Sequence, residues 1–161
     1  MRVAMRSTSP RRRTDLPANP KLAEDILLLE RLFGEQHVFW DGDGTWVQIN
    51  RFHLRSSRFE FSANPIYLLA FVPPGYGERR GDGAGIEEFY VPRDLKIRSR
   101  NGPWKSIPNT YREYDRRGGR VVNMEHLYAC VHIRGFDPNR DDIGTSLTAL
   151  QLLLTDPGAF R

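Results

Sequence analysis

The apolar run Ile-Tyr-Leu-Leu-Ala-Phe-Val at residues 66–72 constrains the fold more than any other feature of the sequence. It is far shorter than the roughly 18 residues that a membrane-spanning helix needs. A short apolar run that ends at turn residues is typical of a buried strand. This run stops at Pro-Pro-Gly-Tyr-Gly (residues 73–77), which cannot continue a strand ladder. It therefore predicts the central strand of a sheet.

An amphipathic helix is predicted over residues 20–33, near the N-terminal end. Its apolar side chains recur at i, i+4, i+7 and i+11, namely Leu22, Ile26, Leu29 and Phe33. Asn19 is a good N-cap, Pro20 suits the first helical position, and Gly34 suits the C-terminal cap. One apolar stripe indicates that this helix packs on something larger.

Further strands are predicted on both sides of the apolar run. Residues 37–40 and 45–54 flank a turn rich in Gly and Asp, which predicts a hairpin. Residues 87–92 predict another short strand or an extended segment. Residues 98–120 are polar and rich in Gly and Pro, which predicts a long irregular excursion. Residues 120–133 then return to the core.

A second helix follows, capped by Asp141 or Asp142 and stopped by Pro157. Its apolar stripe consists of Ile143, Leu147, Leu150 and Leu154. The order of elements is therefore helix, antiparallel meander, irregular loop with Cys130, and helix. This order predicts an α+β fold with the helices on one side of the sheet.

Length, composition and net charge restrict the cellular compartment and the classes of partner that we expect. With 161 residues, 39% of them hydrophobic, the chain suits one domain, predicted at residues 19–161 after a disordered basic arm at residues 1–18. The basic start lacks the apolar region of a secretion signal, and a single cysteine fits a reducing cytosol, so we expect a cytoplasmic protein with no membrane partner. The net charge of +4 would suit a nucleic-acid partner. Beyond the arm, however, arginines are scattered among acidic residues, so a nucleic-acid partner is disfavoured.

Cys130 is the residue that could carry chemistry, because it is the only cysteine. A lone cysteine is more often a small buried apolar side chain than a nucleophile. Its neighbours in sequence, His126 and His132, favour the second interpretation and leave a Cys-His hydrolase open. The histidines and Cys130 show no spacing typical of zinc, so no metal and no cofactor are expected.

The region after Cys130 resembles the active-site region of ubiquitin-conjugating enzymes. The residues that match that family, in order, are Cys130, Ile133, Phe136, Pro138, Ile143, Leu147, Leu150, Leu153 and Pro157. Upstream, Phe-Val-Pro-Pro-Gly-Tyr-Gly and Glu-Phe-Tyr-Val-Pro also resemble family segments. The resemblance covers roughly residues 19–160. It departs from the family in lacking an intact His-Pro-Asn tripeptide, and in having Phe136 where tryptophan is usual.

The resemblance implies a fold and an activity. The fold would be that of ubiquitin-conjugating enzymes, in the compact form of bacterial members encoded beside ubiquitin-like proteins and activating enzymes, some in antiviral defence. Cys130 would carry a ubiquitin-like protein as a thioester and pass it to an amine of a protein substrate. Asn123 is the nearest match to the asparagine that steadies the oxyanion, and His126 or His132 would lower the thiol pKa or accept a proton.

The same resemblance implies the partner-binding residues. The first helix would meet the activating enzyme, so Glu24 and Arg31 are candidates. The region near the ligase-binding loops would include Pro73, Pro74 and Tyr76, and the turn after the cysteine adds Phe136 and Pro138. The alternative function is a non-catalytic variant of the same fold that binds a ubiquitin-like protein or peptide.

Overall fold

The computed structural model describes residues 15–113 and 126–155. The helices are α1 (Pro20–Phe33) and α2 (Ile143–Thr155), and a short 3-10 turn follows α1 (Glu35–His37). The strands are β1 (Val38–Trp40), β2 (Trp46–Phe52), β3 (Phe59–Phe61), β4 (Ile66–Phe71), β5 (Glu88–Val91), β6 (Lys96–Ser99), β7 (Lys105–Ser106), β8 (Thr110–Glu113) and β9 (His126–Cys130). Within the described ranges, no helix is both long enough and apolar enough to cross a membrane.

Six strands form the main sheet in the order β1-β2-β4-β5-β9-β8, and neighbouring strands are antiparallel. The apolar run predicted as the central strand is β4, which has strands on both sides, so this prediction is confirmed. The predicted hairpin is β1 and β2, with Val38 opposite Ile49. A second, smaller sheet has the order β3-β6-β7.

The irregular excursion predicted for residues 98–120 is partly wrong. Its described part contains the end of β6, all of β7 and all of β8. These strands are short and mostly polar, so they lack the apolar alternation that marks a strand in sequence. Pairing with distant segments supplies their hydrogen bonds: β6 pairs with β3, and β8 pairs with β9.

Both helices begin as their caps predict. The side chain of Asn19 accepts a hydrogen bond from the Leu22 N–H at 3.1 Å, and Gly34 ends α1 with a φ of 92°. For α2 the cap is Asp142, whose carboxylate accepts from the Thr145 N–H at 3.3 Å, while the Thr145 hydroxyl accepts from the Asp142 N–H. Asp141 instead accepts from the backbone of the preceding turn. Pro157 lies outside the described residues.

The two faces of the main sheet carry different side chains, because alternate strand residues point to opposite faces. The first, which we call the helix face, carries Val47, Ile49, Leu68, Ala70, Phe89, Leu127 and Ala129. These residues share one core cluster with the stripes of α1 and α2, so both helices pack on the same side, as predicted. The second, which we call the cysteine face, carries a separate cluster of Trp46, Leu69, Phe71, Tyr90 and Tyr128.

The boundary predicted between arm and domain lies a few residues too late. The Trp40 indole N–H donates to the carbonyl of Asp15 at 3.3 Å. Leu16 packs against the core, and Pro17 is buried. Residues 15–18 therefore belong to the domain, because tertiary contacts hold them although their composition resembles that of the arm. Residues 1–14 lie outside the described part of the chain.

Candidate active site

Cys130 is the last residue of β9 and lies directly opposite Glu88 of β5. On its other side β8 pairs with β9 only as far as Ala129, so Cys130 marks the end of the ladder. The expectation that Cys130 lies in an irregular loop is therefore wrong. The alternation of Leu127 and Ala129 with Tyr128 fits a strand whose one face lies in the core.

The Cys130 side chain lies on the cysteine face and is partly exposed. It packs at the border of the cysteine-face cluster, and its thiol lies 3.6 Å from the Val131 carbonyl oxygen, within reach of a weak hydrogen bond. A large acyl donor can reach a partly exposed thiol without entering a deep pocket. The position is compatible with surface chemistry and equally with a packed structural cysteine.

A carboxylate and a phenol lie beside Cys130, and sequence reasoning missed both. Glu88 is the direct cross-strand neighbour, which places the two Cβ atoms about 5 Å apart on one face. Tyr128, two residues before Cys130, donates its hydroxyl hydrogen bond to Glu88 at 3.2 Å. The sequence signal was the alternation in Glu88-Phe89-Tyr90, but only the register of β5 against β9 shows which residue faces the cysteine.

The two candidate histidines lie in different environments. His126 begins β9, is fully buried, and has its ring 5.6 Å from the Tyr67 ring and 5.7 Å from the Tyr90 ring. Four residues along a strand span about 13 Å, so the structure does not bring His126 next to Cys130. His132 is exposed and follows Cys130 by two residues. Asn123, the candidate oxyanion residue, lies outside the described residues.

The segment that follows Cys130 is fixed by the glycine-rich loop before β5. The Val131 N–H donates to the Glu87 carbonyl at 2.9 Å, and the Ile133 N–H donates to the Glu87 carboxylate at 2.9 Å. Further along, the Gly81 N–H donates to the Phe136 carbonyl at 2.8 Å. A Cβ at Gly85 would lie 2.9 Å from the Phe136 ring, so this close approach requires glycine. The loop therefore sets the path from the cysteine to α2.

Two of the predicted partner-binding residues lie inside the protein. Tyr76 is 1% exposed and Phe136 is 0% exposed, with their ring centroids 5.8 Å apart. The structure does not bring either ring to a surface that a partner could contact. Both rings fill the space between α1 and the turn before α2. Of the two prolines before Tyr76, Pro74 is exposed and Pro73 is half-buried.

Three other predicted partner-binding residues lie together. Glu24 and Arg31 of α1 and Pro138 of the turn before α2 line one recess of about 400 Å³, which we call the α1 recess. Its lining is mostly charged, with Arg140 and Asp142 on the far side. Residues far apart in sequence thus form one continuous surface.

A buried acid lies at the base of the α1 recess. The Tyr76 hydroxyl donates to the Asp25 carboxylate, and Lys21 forms an ion pair with it at 3.7 Å. Burial nevertheless raises the pKa of Asp25 to about 6, because loss of water outweighs both partners. Burial, and then the Asp25 charge, also raise the pKa of Tyr76.

Within the described ranges, no group of three His, Cys, Asp or Glu side chains could hold a metal ion. No protein-family model, curated protein or solved structure matches this chain. The protein is thus an α+β sandwich with both helices on one face of an antiparallel sheet and its single thiol on the other.

Proposed function

We propose that this protein carries a ubiquitin-like protein as a thioester on Cys130 and transfers it to an amine of a target protein, in a bacterial conjugation pathway of the kind found in antiviral defence. The observation that carries the proposal is the position of Cys130. It is the only thiol, it is partly exposed at the end of a ladder, and a turn and the capped helix α2 follow it, as the family resemblance implies.

The chemistry needs two acyl transfers. The Cys130 thiolate attacks the thioester carbonyl of the activating enzyme's adduct, and the thiolate of that enzyme leaves. An amine of the target then attacks the new thioester, an amide forms, and the Cys130 thiolate leaves. A base has to take the proton that the amine loses. Exposed His132 and the cross-strand neighbour Glu88 are the candidates, in place of buried His126.

The α1 recess supports a protein-binding surface separate from the thiol. Glu24, Arg31 and Pro138 line it together, as expected if the activating enzyme docks on α1. The same recess also fits the alternative function, that of a non-catalytic module that binds a ubiquitin-like protein or peptide. In that case Cys130 would only pack against the cysteine-face cluster.

The decisive experiment mixes the protein with its cognate activating enzyme, ATP and modifier. We expect an adduct that a thiol reductant cleaves, because thioesters exchange with free thiols and amides do not. Cys130→Ser should give a slower, reductant-resistant ester, and Cys130→Ala should give no adduct. A reductant-sensitive adduct on Cys130→Ala would contradict the proposal, because the chain has no second thiol. A wild type that binds the modifier without forming an adduct would establish the non-catalytic module.

A further inference from the structure

The positive charge of the described domain is concentrated in one segment. Residues 93–112 contain six of the 24 lysines and arginines and one of the 20 acidic residues. The remainder of the chain, basic arm included, is close to neutral. This segment departs from the expectation that cations beyond the arm are scattered among acidic residues. It folds into β6, β7 and β8 and the turns between them.

Three of these cations meet at a small recess where the second sheet adjoins the edge of the main sheet. Arg93, Lys96 and Arg112 line it together with the hydroxyl residues Ser106 and Thr110, and we call it the basic recess. Its volume is about 110 Å³. One water needs roughly 10–15 Å³, so the recess has room for a group several times larger than a water molecule, such as a phosphate.

The charges of the basic recess are poorly neutralised. Arg93 lies 3.5 Å from the exposed carboxylate of Asp94. Among the side chains of residues 15–112 and 126–155, neither Lys96 nor Arg112 has an ion-pair partner. Because Arg93, Lys96 and Arg112 line one recess, their like charges repel one another, and an anion between them would relieve the repulsion.

An exposed aromatic side chain lies next to this recess. Trp104 is 41% exposed and precedes β7, whose Ser106 pairs with Lys96. The Arg98 guanidinium lies 4.3 Å from the centre of a Trp104 ring, and Glu60 holds that guanidinium at 2.7 Å. One face of the indole is thereby fixed against Arg98. A ring held in this way is a platform on which a nucleic-acid base can stack.

We propose that this surface binds single-stranded nucleic acid, with a backbone phosphate in the basic recess and an unpaired base stacked at Trp104. Cations that follow a backbone, combined with aromatic stacking, are how proteins bind single strands without reading sequence. A duplex keeps its bases paired and offers no base to Trp104. The proposal does not depend on the function proposed for Cys130.

The test measures the binding of fluorescein-labelled dT12 and rU12 to the full chain by anisotropy, with a 12-base-pair duplex, heparin and inorganic phosphate as comparisons. We expect single strands to bind more tightly than the duplex and to quench the fluorescence of Trp104. Trp40 and Trp46 are at most 3% exposed, so the quenching reports on Trp104. Comparing dT12 with rU12 distinguishes DNA from RNA.

The variants separate this surface from general charge. K96E/R112E should weaken binding at least tenfold and reduce the salt slope by about 1.4, because each phosphate contact on a single strand contributes about 0.7. K96Q/R112Q should show a smaller loss and guards against misfolding of the reversed variant. The control R51E/R134E changes net charge equally at exposed positions outside the basic recess and should bind within twofold of wild type.

Trp104→Ala should weaken binding of single strands about five- to hundredfold and abolish the quenching. The proposal would be overturned by no binding by wild type, by equal losses in K96E/R112E and R51E/R134E, or by unchanged binding by Trp104→Ala. Heparin that binds as tightly as dT12 would show an unspecific polyanion surface and would also overturn it.

Discussion

The helix face and the cysteine face of the main sheet are built from the same strands and carry different side chains. On the helix face the strands present aliphatic side chains and Phe89 to α1 and α2. On the cysteine face they present Trp46, Tyr90 and Tyr128, with Glu88 and Cys130 at one end. The two-residue period of a strand produces both, because neighbours in sequence point to opposite faces.

Because of this difference, residues that stabilise the fold and residues that could take part in chemistry lie on opposite faces of the sheet. Phe89 and Glu88 are adjacent in sequence, yet the first is buried in the core and the second lies opposite the thiol. Removal of a side chain from the helix face leaves a cavity that the packed helices cannot fill. A change at the end of the cysteine face touches partly exposed groups. We therefore expect large stability effects on the helix face and small ones at the end of the cysteine face, where Cys130 lies.

The largest effect is expected for Phe89→Ala. Phe89 is fully buried on the helix face, and removal of a buried phenylalanine costs about 3–5 kcal/mol. Cys130→Ala, on the partly exposed side, should cost less than about 1 kcal/mol. Urea unfolding followed by circular dichroism measures both. If Cys130→Ala destabilised the protein as strongly as Phe89→Ala, the thiol would be a core residue and the separation of the two faces would fail.

A second effect concerns Asp25, the buried acid of α1. Its pKa is about 6 in the folded protein against an ordinary 3.8, so the folded state keeps a proton that the unfolded state has lost. The contribution of Asp25 to the free energy of unfolding is therefore largest below about pH 4 and falls as pH rises to about 6, by up to about 3 kcal/mol. Asp25→Asn should remove this pH dependence of the free energy of unfolding, as measured by urea unfolding at several pH values. Asp141, whose pKa the Asp137 N–H lowers, acts oppositely and only below about pH 4.

A smaller effect is expected at the start of the domain. Deletion of residues 1–18 should cost about 1–3 kcal/mol more than deletion of residues 1–14. The longer deletion removes buried Pro17, the packing of Leu16 and the acceptor of the Trp40 indole. Thermal unfolding of both truncated chains measures the difference. Equal melting temperatures would show that residues 15–18 contribute nothing to the core.

Local signals in the sequence predicted the elements whose determinants are local. The caps Asn19 and Gly34 and the stripe between them gave the bounds of α1, and the apolar run gave β4. Short polar strands such as β7 escaped detection, because their hydrogen bonds come from segments distant in sequence.

The candidate site was less predictable than the fold for the same reason. The sequence identified Cys130 as the one thiol, but Glu88 is 42 positions away and faces it only through the register of β5 and β9. The burial of Tyr76 and Phe136 could not be predicted from the sequence either. Both residues lie in turns rich in Pro, Gly and Asp, and such turns usually lie at the surface. Asn123 stays a prediction.

The smallest stability effect, with a large functional one, is expected on the outer surface of α1. Glu24→Lys and Arg31→Glu change exposed charges that line the α1 recess, so each should alter the free energy of unfolding by less than about 0.5 kcal/mol. If the activating enzyme docks there, each reversal places like charges across the interface. Loading of Cys130 should then slow by about tenfold, since like charges oppose encounter.

Arg51→Glu is the matched control for this last prediction, because it reverses an exposed charge on β2 outside the α1 recess. It should load at the wild-type rate. Single-turnover loading at low and high salt distinguishes the causes, because added salt screens repulsion between exposed charges and should narrow the gap between wild type and Arg31→Glu. Unchanged loading for both α1 variants would show that the activating enzyme does not dock on α1. Equal slowing by Arg51→Glu would mean that net charge, rather than the α1 recess, governs the encounter.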